Sequence, residues 1–215
     1  MKVILLTDVT ENQLKRTLMT AIRTCYSENS PIDIYNGQTK DVENYMTHDS
    51  AKWDKLLFGI IMRSGHYSVL EHINFTFAVE GISRSCLAQL TRHRHPSHSV
   101  QSQRYVKYRD MPAFVMPDGL TEPQDKFMRS CLEAAFNHYE TLLEMGVKAE
   151  DARAVLPNAM PVSEVITMNL RTLLETYKTR TTNHAQKEIR ELFHELKRSV
   201  SHLPTVKAIL EYQQE

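Results

Sequence analysis

Apolar residues recur at two different intervals along this chain, and the intervals predict helices packed around a sheet. In the segment 73–79 every second residue is apolar, which is typical of a half-buried strand. In the segments 14–25, 50–64 and 122–146 the apolar residues fall three and four positions apart, as they do on one face of a helix. Strands and helices are therefore expected to share one core.

Capping and helix-breaking residues define where these elements end. Thr10 with Gln13 matches the capping box that begins a helix, and Gly65 and Gly146 end the helices that precede them. The segment 27–48 is polar and irregular, so it is predicted to be a loop. The remaining predicted elements are strands over 1–9 and 163–170, helices beginning at Ser83 and covering 149–156 and 171–178, and a last helix capped by Asn183 with Gln186.

The order of these elements predicts an α+β fold, in which helices pack on a mixed or antiparallel sheet. A chain of 215 residues is long enough for one sizeable core, so a single domain is expected over residues 1–215. All three cysteines, Cys25, Cys86 and Cys131, lie on apolar helical faces and are predicted to be core residues. The predicted buried face of the long helix consists of Phe127, Cys131, Ala134, Ala135, His138 and Leu142.

The overall charge narrows the possible functions. Lys and Arg together number 26, as do Asp and Glu, and this neutral balance argues against a protein that mainly coats nucleic acid or an anionic membrane. The apolar run at the N-terminus is too short for a signal peptide, and no run approaches the length of a spanning helix. Three widely spaced cysteines argue against a disulfide framework or a thiolate zinc site. A cytoplasmic protein is expected.

The segment 92–106, RHRHPSHSVQSQRYV, concentrates cationic and hydroxyl groups within this neutral chain. If the helix that begins at Ser83 ends near His95, residues 92–94 lie in its last turn, where the helix dipole favours cations. Beyond Pro96 the chain is predicted to be extended. Ser102 and Arg104 would then point the same way, and a hydroxyl beside a guanidinium suits a phosphate.

Three other interpretations of this segment remain open. It could be a solvated basic surface. It could be a nucleic-acid patch, because aromatic and cationic residues interleave over 105–109. It could also be a metal site, although the spacing of its histidines matches no common zinc signature. The histidines concerned are His93, His95 and His98, with His66 and His72 as further candidates.

Four motifs together resemble the signatures of the flavin-dependent thymidylate synthases, the ThyX family. The first is R-H-R at 92–94, followed after seven residues by S-x-R at 102–104. The others are GHYSVLEH (65–72), ARAVLP (152–157) and NLRTLLETYKTRTTNHAQKEIR (169–190). Their order and spacing agree with the family from about residue 20 to residue 190, so the resemblance covers nearly all of the chain.

The resemblance implies a fold, an activity and a set of small-molecule partners. Members of the family convert dUMP to dTMP, with 5,10-methylenetetrahydrofolate as the one-carbon donor and NADPH-reduced FAD as the hydride carrier. The enzyme is a homotetramer whose active sites are shared between subunits. The resemblance implies no metal, no nucleic-acid partner and no membrane partner. Chain neutrality fits this expectation, because the cations would serve small phosphorylated ligands.

By position in the motifs, each candidate residue has an implied role. The FAD-binding candidates are His66, Ser68, Glu71, Arg92, His93, Arg94, Asn169, Arg171 and Glu175. The dUMP-binding candidates are Gln89, Arg92, Gln101, Ser102, Gln103, Arg104, Arg153 and Arg180. The residues alone also allow simpler explanations, such as an exposed helical arginine at 153, a surface glutamine at 89, and an ion pair between Arg171 and Glu175, which are four apart.

Arg180 is the implied catalytic residue, because in the family this arginine touches the uracil. It follows Arg171 by nine positions, so the two lie on opposite faces of a continuous helix and serve different neighbourhoods. A cation beside the ring carbonyls stabilises negative charge on the activated pyrimidine. Ser102 is not expected to be a nucleophile, because no carboxylate follows to orient a His–Ser pair. No cysteine nucleophile is expected either.

The chain departs from the family pattern at two places. Many members carry Asn-Glu where this chain has Ser99-Val100, and some carry Asn in place of Glu175. These departures affect individual ligand contacts. Two rival functions remain at this point: a nucleic-acid-binding module, which would bind no flavin, and a flavoprotein that binds dUMP without methylating it.

Overall fold

A four-stranded antiparallel sheet forms the centre of the structure, a computed structural model that describes residues 1–46 and 50–212. The strand order is β1-β2-β4-β3. The strands are β1 (Lys2–Leu5), β2 (Asn74–Ser83), β3 (Ser97–Val100) and β4 (Pro161–Asn169). The helices are α1 (Glu11–Thr24), α2 (Pro31–Asn36), α3 (Lys40–Tyr45), α4 (Ser50–Leu56), α5 (Arg84–Leu90), α6 (Glu122–Glu144), α7 (Ala149–Ala152), α8 (Leu170–Arg180), α9 (Lys187–Val200) and α10 (Pro204–Glu211). The predicted α+β class is confirmed.

One face of the sheet carries the main core, as the alternation in the sequence predicts. Phe75, Phe77 and Val79 of β2 are fully buried, and their polar neighbours in sequence point to the other face. Helices α5, α8 and α9 pack on this sheet. The opposite face is open in the single chain, where Ile4 is 46% and Val165 is 38% exposed.

A bulge in β2 links the sheet to the candidate site. The register of β2 against β4 shifts between Glu80 and Ile82, and Gly81 between them has φ +74°, a conformation that favours glycine. Ile82 and Ser83 are consequently both buried, although they are adjacent. Ser83 ends the strand and also caps α5, because its Oγ accepts a hydrogen bond from the backbone N–H of Cys86 (3.0 Å).

Several predicted elements are confirmed, and the capping box of Thr10 and Gln13 is formed in full. The predicted helix up to Gly65 is present, but residues 57–63 continue α4 as a π-helix, and a 3₁₀ helix covers residues 67–72. A 3₁₀ turn also extends α7 over residues 153–155.

The predicted loop over 27–48 is wrong for most of its length, because it contains α2 and α3; its last two residues lie outside the described part of the chain. Each of these helices begins at a side-chain cap, and Ile34 of α2 is fully buried. In α3, Asp41 accepts a hydrogen bond from Arg23 Nε of α1 (2.7 Å). Tertiary contacts therefore stabilise two helices that would be marginal alone.

The predicted buried face of α6 is wrong by one position. Phe127 is 72% exposed, whereas Leu132, Phe136 and Tyr139 are buried, the last two in a second, smaller core with Ala152 and Met160. The prediction for two cysteines is also wrong. Cys131 lies on the exposed face of α6, and Cys25 follows the last residue of α1, so both thiols are exposed and only Cys86 is buried.

Near the C-terminus, two details differ from the sequence-based expectation. Asn183 does not cap α9, because residues 181–186 form turns and Gln186 is the N-cap. A further helix, α10, follows α9 and was not predicted. Its threonine Thr205 accepts a hydrogen bond from the indole N–H of Trp53 (3.2 Å) and donates to Glu11 (2.5 Å), which ties α10 to α4 and α1.

Candidate functional site

Helices α5 and α8 leave the sheet from opposite ends of the same strand pair. Ser83 lies opposite Pro161 at one end, and Asn74 lies opposite Asn169 at the other. Helix α5 begins directly after Ser83 and α8 directly after Asn169, which caps it by accepting a hydrogen bond from the Thr172 N–H (2.8 Å). The C-terminal ends of the two helices meet, because the last residue of α8 contacts the last turn of α5.

Arg180, the last residue of α8, joins the two helices where they meet. Its Nε donates to His93 Nε2 (2.8 Å), and its Nη2 donates to the backbone carbonyl of Gln89 (3.1 Å). Both bonds end on groups at the C-terminal end of α5, where the helix dipole favours a cation. Arg171, at the other end of α8, has different partners, as the nine-residue separation predicts.

His93 accepts the hydrogen bond from Arg180 because its imidazole is neutral. Burial lowers the pKa of His93 below its ordinary value of 6.5, and the charges of Arg180 and His98 lower it further. With Nε2 as acceptor, the proton of the neutral ring resides on Nδ1. The ring also packs edge-on against Phe193 of α9. His93 is thus fixed by two neighbours.

The first turn of α9 holds α5 in place. Glu188 accepts two hydrogen bonds from Ser83, one from its backbone N–H (2.7 Å) and one from its hydroxyl (2.6 Å). Gln186 accepts a hydrogen bond from the side-chain amide of Gln89. The sequence predicts only a capping role for Gln186 and none for Glu188, although both lie in the motif segment 169–190.

A second group of candidates surrounds Arg171. Its Nη1 donates to Glu71 (2.7 Å) and its Nε to Glu175 (2.8 Å), so the predicted ion pair with Glu175 is present and a second carboxylate joins it. This bond to Glu71 connects the 3₁₀ helix at 67–72 to α8. The exposed His66 shares a hydrogen bond with the hydroxyl of Tyr26 (3.2 Å), a residue that the motifs did not point to.

A small cavity of about 210 Å³ connects the two groups. It lies between the turn after α5 and the polar face of α8, and its lining combines imidazoles, one guanidinium, one carboxylate and three hydroxyls. The lining residues are His93, Arg94, His95, Thr172, Glu175, Thr176 and Thr179.

The position of residues 92–94 corrects one expectation. Helix α5 ends at Leu90 with Thr91 as its cap, so Arg92, His93 and Arg94 lie beyond its last turn and not within it. The helix stops early because the chain must turn before Pro96 and enter β3. Arg92 and Arg94 are exposed, as is Ser68 of the 3₁₀ helix.

A third group forms around Glu150. This carboxylate accepts hydrogen bonds from Nε and Nη2 of Arg104 (3.1 and 3.0 Å), and its backbone carbonyl accepts one from Arg153 (3.1 Å). Arg104 and Arg153, both candidates for binding dUMP, are thus neighbours. Glu150 itself was not predicted, and the 46 positions that separate it from Arg104 leave no local signal.

The extended geometry predicted for 102–104 is wrong, because β3 ends at Val100 and the chain turns. Ser102 Oγ accepts a hydrogen bond from the Arg104 N–H (3.2 Å), and its carbonyl accepts one from Val106 (3.0 Å). Gln101 is exposed but tied through its carbonyl to Arg84 (2.9 Å). Gln103, next to Ser102, is half-buried.

Two general findings complete the description of this part of the chain. Among residues 1–46 and 50–212, no three histidine, cysteine, aspartate or glutamate side chains come close enough together to hold a metal ion. Over the same ranges, no helix combines the length and apolar character that crossing a bilayer requires.

Comparison with known proteins gives a consistent result. The family model described as "Thymidylate synthase complementing protein" matches residues 5–204. A flavin-dependent thymidylate synthase of Geobacter sulfurreducens is 46% identical over 150 residues, which span 68% of this chain and 65% of that protein. One of Clostridium tetani is 35% identical over 202 residues, spanning 85% and 76%. The chain thus spans somewhat less than two thirds of the Geobacter relative.

Solved structures share the fold. ThyX from Helicobacter pylori, determined with FAD and dUMP, has a TM-score of 0.73 at 23% identity, and the match covers 99% of this chain and 100% of that one. The UMP/dUMP methylase PolB from Streptomyces cacaoi, bound with 5-Br dUMP, has a TM-score of 0.77 at 25% identity and covers 97% and 93%.

Proposed function

The chain belongs to the thymidylate synthase complementing protein family, and on that basis we propose that it is a flavin-dependent thymidylate synthase. The reaction would be the reductive methylation of dUMP to dTMP, with 5,10-methylenetetrahydrofolate as the one-carbon donor and NADPH as the source of reducing equivalents. The observation that carries the proposal is the contact of Arg180 with His93 and Gln89, which joins three candidate residues from α8, α5 and the turn after α5.

Arg180 would stabilise the activated pyrimidine. Its guanidinium is held by a neutral imidazole and a backbone carbonyl, neither of which cancels its positive charge. That charge is therefore available to a uracil ring that becomes negative as C5 turns into a nucleophile. The two hydrogen bonds fix the orientation of the guanidinium before substrate arrives, which is the condition for effective electrostatic stabilisation.

The residues around the small cavity fit the chemistry of FAD. Arg94 offers donors of the kind that a pyrophosphate accepts, and Thr172, Thr176 and Thr179 line the cavity with hydroxyl oxygens, those of Thr176 and Thr179 donating to backbone carbonyls of α8. Glu71 and Glu175 neutralise Arg171 in the single chain, so this guanidinium is oriented by carboxylates. The residues that would hold FAD are those implied by the motifs: His66, Ser68, Glu71, Arg92, His93, Arg94, Asn169, Arg171 and Glu175. When bound, FAD would supply a carrier for hydride between NADPH and the methylene-bearing nucleotide.

The phosphate of dUMP would bind at Arg104 and Arg153. Arg104 bonds to the carboxylate of Glu150 and Arg153 to its backbone carbonyl. A phosphate would therefore compete with the carboxylate for Arg104 and then accept two parallel hydrogen bonds. Ser102, Gln101 and Gln103 would contribute hydroxyl and amide groups next to it, and Gln89 and Arg92 would complete the nucleotide site.

The assembly would be a homotetramer with active sites shared between subunits. Two features of the single chain support this. The outer face of the sheet leaves Ile4 and Val165 exposed. In addition, Arg104 is hydrogen-bonded to Glu150 whereas Arg180 is bonded to Gln89, so the phosphate-binding candidates and the catalytic candidate belong to different hydrogen-bonded groups. The three free cysteines are compatible with work in the cytoplasm, a reducing compartment.

The absorption spectrum of the purified protein tests this function. We expect a flavin spectrum that bleaches when NADPH is added without oxygen, faster with dUMP present, and dTMP formation once methylenetetrahydrofolate is supplied. An Arg180→Ala variant should form little dTMP, whereas Arg198→Ala, at an exposed arginine of α9, should match the wild type.

Each rival function predicts a different result. A flavoprotein that only binds dUMP would bleach with NADPH and form no dTMP. A colourless protein that takes up no FAD and binds oligonucleotides with steep salt dependence would point to a nucleic-acid module and end the synthase proposal.

A further inference from the structure

A fully buried carboxylate lies in the middle of the core face of β4. The side chain of Glu164 has no exposed surface, and its neighbours on the same face of the strand, Val162 and Ile166, are buried apolar residues. Across the sheet it lies opposite Val79 on one side and Val100 on the other. A carboxylate in such surroundings is costly unless a partner compensates it, so its retention needs an explanation.

The partner is His98 of the edge strand β3. Its Nδ1 lies 2.9 Å from Glu164 Oε2, and its side chain is only 15% exposed. The other two polar atoms of the pair, Glu164 Oε1 and His98 Nε2, are buried and make no hydrogen bond within the described residues. One hydrogen bond therefore joins two poorly solvated groups, and such pairs contribute little to stability compared with apolar residues of similar volume. A role in positioning explains the pair better.

The location of the pair indicates what it positions. His98 follows the turn 91–96, which carries His93 on the way from α5 to β3, and the charge of His98 reaches His93. The charge of Glu164 reaches Cys86 of α5. The pair thus lies at the start of β3, next to the turn that carries the residue that accepts the hydrogen bond from Arg180.

We propose that His98 and Glu164 are positioning residues that anchor the start of β3 to the sheet and thereby hold His93 against Arg180. Strand β3 has four residues and is the edge strand next to β4 in the described sheet, so few backbone hydrogen bonds hold the turn before it. The buried hydrogen bond between His98 and Glu164 adds a side-chain link between β3 and β4. The importance of the His93–Arg180 contact for catalysis rests on the proposed function, but its geometry does not.

The groups facing each member of this arrangement come from four elements. His98 bonds to Glu164 of β4, and its charge reaches His93 of the turn, which bonds to Arg180 of α8. The charge of Glu164 also reaches the thiol of Cys86 in α5. Replacing both members of the pair by apolar residues leaves none of these groups with a new buried charge.

The test combines the His98→Phe and Glu164→Met changes in the full chain and measures solvent exchange of the Arg180 Nε–H by NMR in ¹⁵N-arginine-labelled protein. We expect the double variant to fold and the exchange rate to rise at least tenfold, because His93 no longer holds its place as acceptor. An exchange rate equal to that of the wild type would overturn the proposal. This readout requires no flavin and no turnover, so it remains valid if the synthase assignment fails.

A matched control removes another partly buried ion pair far from the turn. Arg23→Met with Asp41→Leu breaks the pair between α1 and α3, and the Arg180 exchange rate should stay at the wild-type value. A rise in this control as well would mean general loosening and would also overturn the proposal. If the His98–Glu164 double variant does not fold, Glu164→Gln replaces it. This variant keeps the shape of the side chain and weakens the charge-assisted hydrogen bond to His98. A two- to threefold faster exchange of the Arg180 Nε–H is therefore expected, and an unchanged rate would refute the positioning role of the pair.

Discussion

Glu188 offers the most direct test of how α9 holds the candidate site. The change Glu188→Gln keeps the size of the side chain and replaces one carboxylate oxygen by an NH₂ group. In the native protein both oxygens accept hydrogen bonds from Ser83, one from the backbone N–H and one from the hydroxyl. The amide can accept only one of them, and its NH₂ then faces a donor.

The expected cost follows from these two bonds. Hydrogen bonds to a charged group contribute about 1.5–3 kcal/mol each, and a buried donor left unpaired costs about 1–3 kcal/mol. Ser83 is only 3% exposed, so water cannot replace the lost acceptor. We therefore expect the free energy of unfolding to fall by about 2–3 kcal/mol, which is a large part of the stability of an ordinary domain.

Urea denaturation measures this loss. All variants are compared at one protein concentration, because the stability of the proposed homotetramer would depend on concentration. The matched control is Glu191→Gln, less than one turn further along α9. The Glu191 carboxylate is exposed, and its Oε1 lies 3.6 Å from Nζ of Lys187. Such a surface pair contributes about 0–1 kcal/mol. If Glu188→Gln is no less stable than Glu191→Gln, the role of Glu188 as the anchor of α5 is refuted.

Three further predictions concern the site itself. Ser102→Ala should keep measurable dTMP formation while Arg180→Ala loses most of it, and complete inactivity of Ser102→Ala with nucleotide binding intact would contradict this. A thiol reagent should modify the two exposed cysteines of the native protein and reach Cys86 only after unfolding, because burial strongly raises the pKa of the Cys86 thiol; modification of all three at equal rates would show otherwise. The pKa of His93 is lowered in the folded state, so the folded protein binds fewer protons at this residue and its free energy of unfolding rises with pH. This contribution of His93 to stability is complete above the ordinary pKa of 6.5 and is lost as pH falls through the lowered value. His93→Gln, which can still accept from Arg180, should therefore lose less stability than the wild type between pH 7 and pH 5, and equal losses would count against it.

Local patterns predicted those parts of the fold in which one signal dominates. The alternation in β2 and the cap at Thr10 are such cases, because burial on one face and a single side-chain hydrogen bond decide them. The resemblance assigned Gln89 and Arg180 to dUMP and His93 to FAD, and these roles stay predictions; the structure joins Arg180 to both of the other residues by hydrogen bonds.

Other features depend on contacts that no local pattern contains. Helix α6 has apolar residues on two adjacent stripes, and packing against Ala152 of α7 and the segment 108–114 decides that Phe136 and Tyr139 are buried while Phe127 is exposed. The group around Glu150 joins residues that lie 46 positions apart. The pair of His98 and Glu164 was unpredictable for a similar reason: a histidine and a glutamate in two half-apolar strands give no sign that they will face each other inside the core.

The meeting of α5 and α8 has a consequence for what these helices can tolerate. They contain 7 and 11 residues, which correspond to about 10 and 16 Å of axial length, and they start from opposite ends of the pair β2 and β4. Inserting or deleting one residue in either helix would move its end by about 1.5 Å and rotate it by about 100°, enough to take Arg180 away from His93. Substitutions along the exposed faces change no such distance. The lengths of the two helices together therefore set the distance between Arg180 and His93, and these lengths are constrained more tightly than the composition of the helices' outer surfaces.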